Sequence, residues 1–248
     1  MTAPAAHADL PSLPANVWRG RELAQAQERT VATGHAALDA QLPGGGWPLG
    51  HLVEVLQREA QQHVWQLVGP GLAATMRQLR APAVLVHPPY LPFGPALRAQ
   101  DIVPEQLLCV HADQPAARLW AAEQALRCAD VSAVLAWLPQ ARSEELRRLH
   151  LCANEGEKLL VVFRPLVVRA QSSPARLRLA VEGGETLQVQ VLKRRGPPLL
   201  QPLVLLSQPP RLSALLAARK AARGAAPAQP LTPTPASHVL DRTASLAG

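Results

Sequence analysis

The sequence predicts an α/β fold: a mostly parallel sheet covered by helices on both faces, with an antiparallel hairpin toward its C-terminal end. Three observations carry this. Short runs, apolar on both faces, recur at 83–87 (AVLVH), 107–111 (LLCVH), 131–138 (VSAVLAWL) and 158–164 (KLLVVFR), as strands buried in a parallel sheet do. Segments with helical spacing separate them, the alternation of a doubly covered sheet. ARLRLAVEGGETLQVQVLKRR (175–195) then shows two runs of period two joined at Gly183-Gly184, a hairpin signal.

In chain order, residues 1–15 are rich in Pro and Ala and read as loose. Asn16 is placed to cap a helix running to about Glu28. GHAALDAQ (34–41) reads as a short helix stopped by Pro43 and three glycines, and HLVEVL (51–56) alternates as a strand. Residues 59–80 have helical spacing interrupted by Gly69-Pro70-Gly71. Pro70 is expected to kink or split that helix, because it removes a backbone donor. Further helices are expected at 94–100, at 115–128 with Pro115 in its first turn, and at about 142–154 with Ser143 as cap. PLVLL (202–206) reads as an edge strand. After Gln208 come a short basic amphipathic helix, RLSALLAARKAAR (211–223), and a Pro-rich tail expected to be disordered. The organisation expected is a lead at 1–30, a core at 31–207 and a basic tail at 208–248.

Composition narrows the class of partner. The 248 residues are 48% hydrophobic but only 3% aromatic, so Leu, Val and Ala must build the core. The formal charge is +7 and the pI about 10.3. Two readings stand side by side: an anionic partner such as nucleic acid or an acidic protein, or a compositional bias toward Arg. Cys109, Cys128 and Cys152 are far apart in apolar runs and read as buried free thiols of a reducing compartment. The eight histidines form no ligand pair, so no metal is expected. No apolar run is long enough for a membrane span, and the N-terminus has neither the basic start nor the apolar stretch of a signal peptide. A cytoplasmic protein is expected.

LPGGGWPLGHLVEVL (42–56) leads into a strand as the approach to a phosphate-binding loop does. Such a loop needs glycines for close backbone approach, then Lys and Ser/Thr for phosphate and metal. After Val55 the chain offers Leu-Gln-Arg-Glu-Ala-Gln-Gln-His, and VSAVLAWLPQ ends without a carboxylate. Two independent parts of a nucleotidase are missing. No catalytic grouping can be assembled by spacing, Asp39 and Glu54 stand as single carboxylates in structural contexts, and no enzyme and no cofactor are expected.

TGHAALDAQLPGGGWPLGHLVEV (33–55) resembles the segment that opens the RecA/RadA recombinase core, through Thr33-Gly34, Leu38-Asp39, Gly44-Gly45-Gly46, and Gly50 with Glu54. Residues 125–165 resemble the SulA cell-division inhibitors, as does HPPYLPFGPALRAQD onward (87–127). One family combines both halves, and the chain is similar to it over roughly 14–207, including LKRRG at 192–196: the ImuA proteins, accessory factors of damage-induced mutagenic translesion synthesis. The resemblance implies a RecA-like three-layer core with a degenerate nucleotide site. It implies as partners ImuB, an inactive Y-family polymerase homologue, and an error-prone replicative-type polymerase, with RecA and single-stranded DNA as further candidates. Two competing readings are a SulA-like inhibitor that binds FtsZ, and a surviving nucleotidase with an altered loop.

Candidate contact residues follow from charge. Arg164, Arg169, Arg176, Arg178, Lys193, Arg194 and Arg195 face only Glu182 and Glu185 over 164–195. Either they neutralise phosphates of a single strand or they form a solvated edge; the region offers no exposed aromatic to stack bases. In the basic helix Leu212, Leu215 and Leu216 lie on one side with Arg219, Lys220 and Arg223 beyond, which suits a partner's groove, DNA, or packing back on the core. Gly44, Gly45, Gly46 and Trp47 read as a structural turn ahead of a partner-binding loop. Trp65, Trp120 and Trp137 read as core anchors, and Trp18 precedes the core.

Overall fold

The computed structural model of the chain describes residues 29–60, 63–183 and 186–206. These all fall in one compact unit, Met1–Gln208. The expected helix at 16–28, Trp18, and the basic helix with Leu212, Leu215, Leu216, Arg219, Lys220 and Arg223 lie outside the described residues.

The architecture is the expected mixed α/β one, a large and mostly parallel sheet with helices on both faces. A small antiparallel ribbon, β1 (Thr30–Val31) with β2 (Trp47–Pro48), precedes it. The sheet then takes β3 (Leu52–Gln57), β4 (Ala83–Val86), β5 (Leu107–Val110), β6 (Ala133–Trp137), β7 (Leu159–Pro165), β8 (Leu177–Gly183), β9 (Thr186–Lys193) and β10 (Leu203–Leu206). Their spatial order is β10-β9-β8-β3-β7-β6-β4-β5. The pairs from β8 through β5 are parallel, and β8-β9 and β9-β10 are antiparallel. The hairpin and the edge strand at 202–206 therefore stand as the alternation implied.

Helices α1 (Ala36–Asp39), α2 (Val64–Leu79) and α3 (Gly94–Arg98) contribute to one apolar cluster, which holds Leu38, Leu67, Leu72 and Leu97 with Val53 and Val161 of the sheet. Helices α4 (Pro115–Arg127) and α5 (Ser143–Gly156) contribute to the other, with Leu126, Leu146 and Leu149 against Val134 and Leu160. Ser143 is the first residue of α5 rather than its cap. Arg142 takes the cap position, and its N–H donates to Glu145 Oε2 at 2.7 Å.

Pro70 does not split α2, which is continuous from Val64 to Leu79. A proline cannot donate to the carbonyl four residues back, here that of Gln66. His35 fills the gap: its Nε2 donates to the Gln66 oxygen at 3.0 Å. The segment around His35 is itself locked. Thr33 N–H donates to Asp39 Oδ1 at 2.9 Å, and His35 N–H donates to Thr33 Oγ1 at 3.0 Å. Gly34, at φ +84°, packs so closely on Pro70 that a Cβ there would lie 2.3 Å from the proline Cβ.

Gly46 is equally constrained, since a Cβ would fall 2.1 Å from the Val31 carbonyl. Trp47 is fully buried. Both facts suit the structural-turn reading of 44–47. Two other expectations are corrected. Trp120 is 63% exposed on α4, whereas Trp137 is buried and Trp65 packs half-buried on the core. Cys109 and Cys128 are exposed, and only Cys152 is buried.

His51, just before β3, meets His150 of α5, Nδ1 to Nε2, at 3.1 Å. Burial lowers the His150 pKa from 6.5, opposed by the Pro174 carbonyl and reinforced by Arg176 and Lys193. A group depressed in the folded state supports stability above its unfolded pKa and withdraws it as pH falls through the folded value. Unfolding free energy is expected to be flat above about pH 6.5 and to fall below it. In urea titrations, His150→Asn should make that fall shallower; an unchanged slope would contradict this.

Candidate functional site: the C-terminal edge of the parallel strands

In open α/β sheets ligand crevices lie beyond the carboxyl ends of the strands, where successive connections leave to opposite faces. Here the connection after β3 runs through α2 on one face, and those after β5 and β6 run through α4 and α5 on the other. The crevice between them is where a phosphate loop would stand, between the central strand and its helix.

The residues there have other chemistry. The link from Arg58 to His63 carries no Gly, Lys, Ser or Thr. Its Ala60 carbonyl accepts from the Trp137 indole Nε1 at 2.8 Å, so the loop turns an acceptor inward where phosphate needs donors. Trp137 ends β6, where a metal-holding carboxylate would sit. It stacks on Phe163 of β7, with centroids 4.6 Å apart and planes at 23°. His63, before α2, adopts φ 60° and places Nδ1 2.9 Å from Gln66 Oε1.

Around this plug a cavity of about 320 Å³ remains, walled by Trp137, Phe163, Pro89, Pro139 and Pro165 and carrying Arg58, Arg118 and His87. His87 sits at φ 53°, with its N–H donating to the Val110 carbonyl at 2.7 Å. Non-glycine residues held in this region mark functional or over-determined turns. Burial, with Arg118 and His111, lowers the His87 pKa, only partly countered by Asp113. Arg118 is fixed by the Ala112 and Asp113 carbonyls, at 2.7 and 2.9 Å. A neighbouring cavity of about 210 Å³ shares Trp137 and Pro89 and extends over Trp65, Tyr90 and Phe93.

The basic residues singled out by charge are dispersed. Arg164 and Arg178 are buried, and Glu54 of the central strand is their counterion: Arg164 Nη1 donates to Glu54 Oε1 at 2.8 Å, and Arg178 Nε lies 2.8 Å from Oε2, at ion-pair distance without good hydrogen-bond alignment. Arg164 also donates to the Ala141 carbonyl, and Arg178 to those of Val168, Arg169 and Gln171. Neither is open to a surface phosphate, a correction to the charge-based expectation.

Arg169 is exposed and bonds Gln190 Oε1 at 3.0 Å, and Lys193 bonds the Ser173 carbonyl at 2.8 Å. Arg176, Arg194 and Arg195 are brought together beside Pro43 and Gly46, where Arg194 donates to the Gln41 and Pro197 carbonyls. The sequence reading missed the loop from His87 to Phe93. Its signal was present: in a chain with one Tyr and two Phe, Tyr90 and Phe93 lie within four residues.

Among the described residues no cluster of His, Cys, Asp or Glu could hold a metal ion, and no helix is long and apolar enough to cross a membrane. The class that the fold defines is a mixed α/β protein with a large, mostly parallel central sheet flanked by helices, in which the link from central strand to helix carries no Gly, Lys, Ser or Thr. No protein-family model matches the chain, and no curated protein matches it either.

Glu54→Gln should cost about 3–5 kcal/mol in urea unfolding, because two guanidiniums lose their counterion in the interior; a cost under about 1 kcal/mol would contradict the cluster's role. Trp137→Ala should cost about 3–5 kcal/mol, and Trp137→Phe, which keeps the stack and loses the indole hydrogen bond to the exposed Ala60, about 0.5–1.5 kcal/mol.

Proposed function

We propose that the chain is a non-catalytic accessory factor of damage-induced mutagenic translesion DNA synthesis, built on a RecA-like core. In this reading it bridges an ImuB-like inactive polymerase homologue to an error-prone polymerase, or modulates RecA at damaged DNA. The observation that carries it is the contrast within 33–63. Several residues that resemble the recombinase core have structural work: Gly34 packs on Pro70 of α2, Asp39 accepts from Thr33 N–H, Gly46 admits β1, and Glu54 anchors the central strand. The phosphate-binding groups that should follow are replaced by a loop closed with an indole. A chain that keeps the scaffold and fills the nucleotide position offers surfaces rather than turnover.

The division-inhibitor reading draws on one observation. Tyr90, Leu91 and Phe93, in the stretch that resembles SulA, are each about 70% exposed. Hydrolysis of GTP by the division protein, with and without this chain, separates the two readings.

Co-expression with an ImuB-like protein from the same host should give co-elution. Loss of co-elution on truncation after Gln208 would place the contact on the tail, and retention would place it on the core. No complex with either form would contradict the scaffold reading.

A further inference from the structure

The sheet's C-terminal edge carries two adjacent cavities that share Trp137 and Pro89 in their walls, together the recess. Three features define what fits it. First, the apolar surface is open: Tyr90 is 68% and Phe93 71% exposed, in a chain that is only 3% aromatic. Exposed aromatics gathered at one concave site mark a docking surface rather than scattered surface residues.

Second, the walls contribute Pro88, Pro89, Pro92, Pro139 and Pro165. Proline has no N–H, so these walls cannot pair a visiting strand in a ladder. Recognition therefore runs through side chains inserted into the recess. Third, the charge is one-sided. Among the described residues, Arg58, Arg118 and Arg164 line the larger cavity and no carboxylate lines either one; Arg164 is already paired with Glu54, which leaves Arg58 and Arg118 to meet a visitor. Among the described residues, Arg58 meets Glu182, at 3.4 Å between two exposed groups, a pair weak enough to be exchanged. His87, also in the lining, keeps Nδ1 buried without a partner.

From this we infer that the recess docks an extended segment of a partner protein bearing apolar or aromatic side chains with carboxylates beside them. The apolar groups enter between Trp65, Tyr90, Phe93 and Trp137, and the carboxylates meet Arg58 and Arg118. The +7 charge of the chain favours an acidic visitor at longer range. A nucleic acid strand fits less well. A phosphate backbone needs a file of cations along the strand, whereas the recess places two, Arg58 and Arg118, beside apolar walls. The inference goes beyond the scaffold reading and does not need it, since the surface is defined by its own chemistry.

The test is selection of a random peptide library displayed on phage against the full chain. Fluorescence anisotropy then follows, with the selected peptide and with a labelled oligothymidine as second probe. Selected sequences should combine Leu or aromatic residues with Asp or Glu. Tyr90→Ala with Phe93→Ala should weaken peptide binding roughly tenfold or more. Both side chains are mostly exposed, so the unfolding midpoint should stay unchanged and confirm an intact fold. Arg58→Glu should shift selection away from acidic sequences. No enrichment, enrichment of basic peptides, peptide binding indifferent to the double substitution, or oligothymidine binding lost through it would each overturn the proposal.

Discussion

The fold depends on one buried carboxylate. Glu54 sits on the central strand, fully enclosed, with Arg164 of β7 on one side and Arg178 of β8 on the other. The two guanidiniums spend their remaining donors on carbonyls at Ala141, Val168, Arg169 and Gln171. A single acid thereby ties together the end of β6, the turn after β7 and the start of the hairpin. Such a cluster adds little net stability over an apolar core of the same shape. Its value here is positional, because Arg178 of β8 finds its counterion on β3, the strand that β8 pairs with beside the centre of the sheet.

The same economy appears on the opposite face. Pro70 opens a hole in the hydrogen bonding of α2, and His35, from a segment 31 residues earlier, closes it. That contact clamps the 33–39 segment across the helix that follows the central strand. Strand, helix and lead-in segment meet at the Arg58–His63 link, which carries no Gly, Lys, Ser or Thr. The rigid frame then presents the Pro88–Phe93 loop and its aromatic side chains at the sheet's C-terminal edge.

What could be read from the sequence was local. Strand runs apolar on both faces and the period-two hairpin specify the sheet, because burial and pleat impose those patterns directly. What could not be read depended on pairings across the chain. The count over 164–195 set Arg164 and Arg178 against Glu182 and Glu185, while their true counterion lies 110 residues earlier than Arg164. The alternative of a split at Pro70 ignored a donor that only folding delivers. Trp120 has apolar neighbours in sequence, yet helical geometry turns it outward. The recess draws on the ends of β3, β4, β6 and β7, and no single segment shows it.

We propose that the C-terminal edge of the sheet docks protein rather than nucleotide, with Trp137 holding the link after β3. The indole N–H of Trp137 reports on this directly, since it is bonded to the Ala60 carbonyl of the loop in question. In a nitrogen-15 correlation spectrum, its resonance can be assigned among the five tryptophans by substitution. On titration with a large excess of magnesium ATP, the resonance should not move. A saturable shift of that peak, with matching shifts of the 58–63 amides, would mean that the loop still holds a nucleotide and would contradict the account.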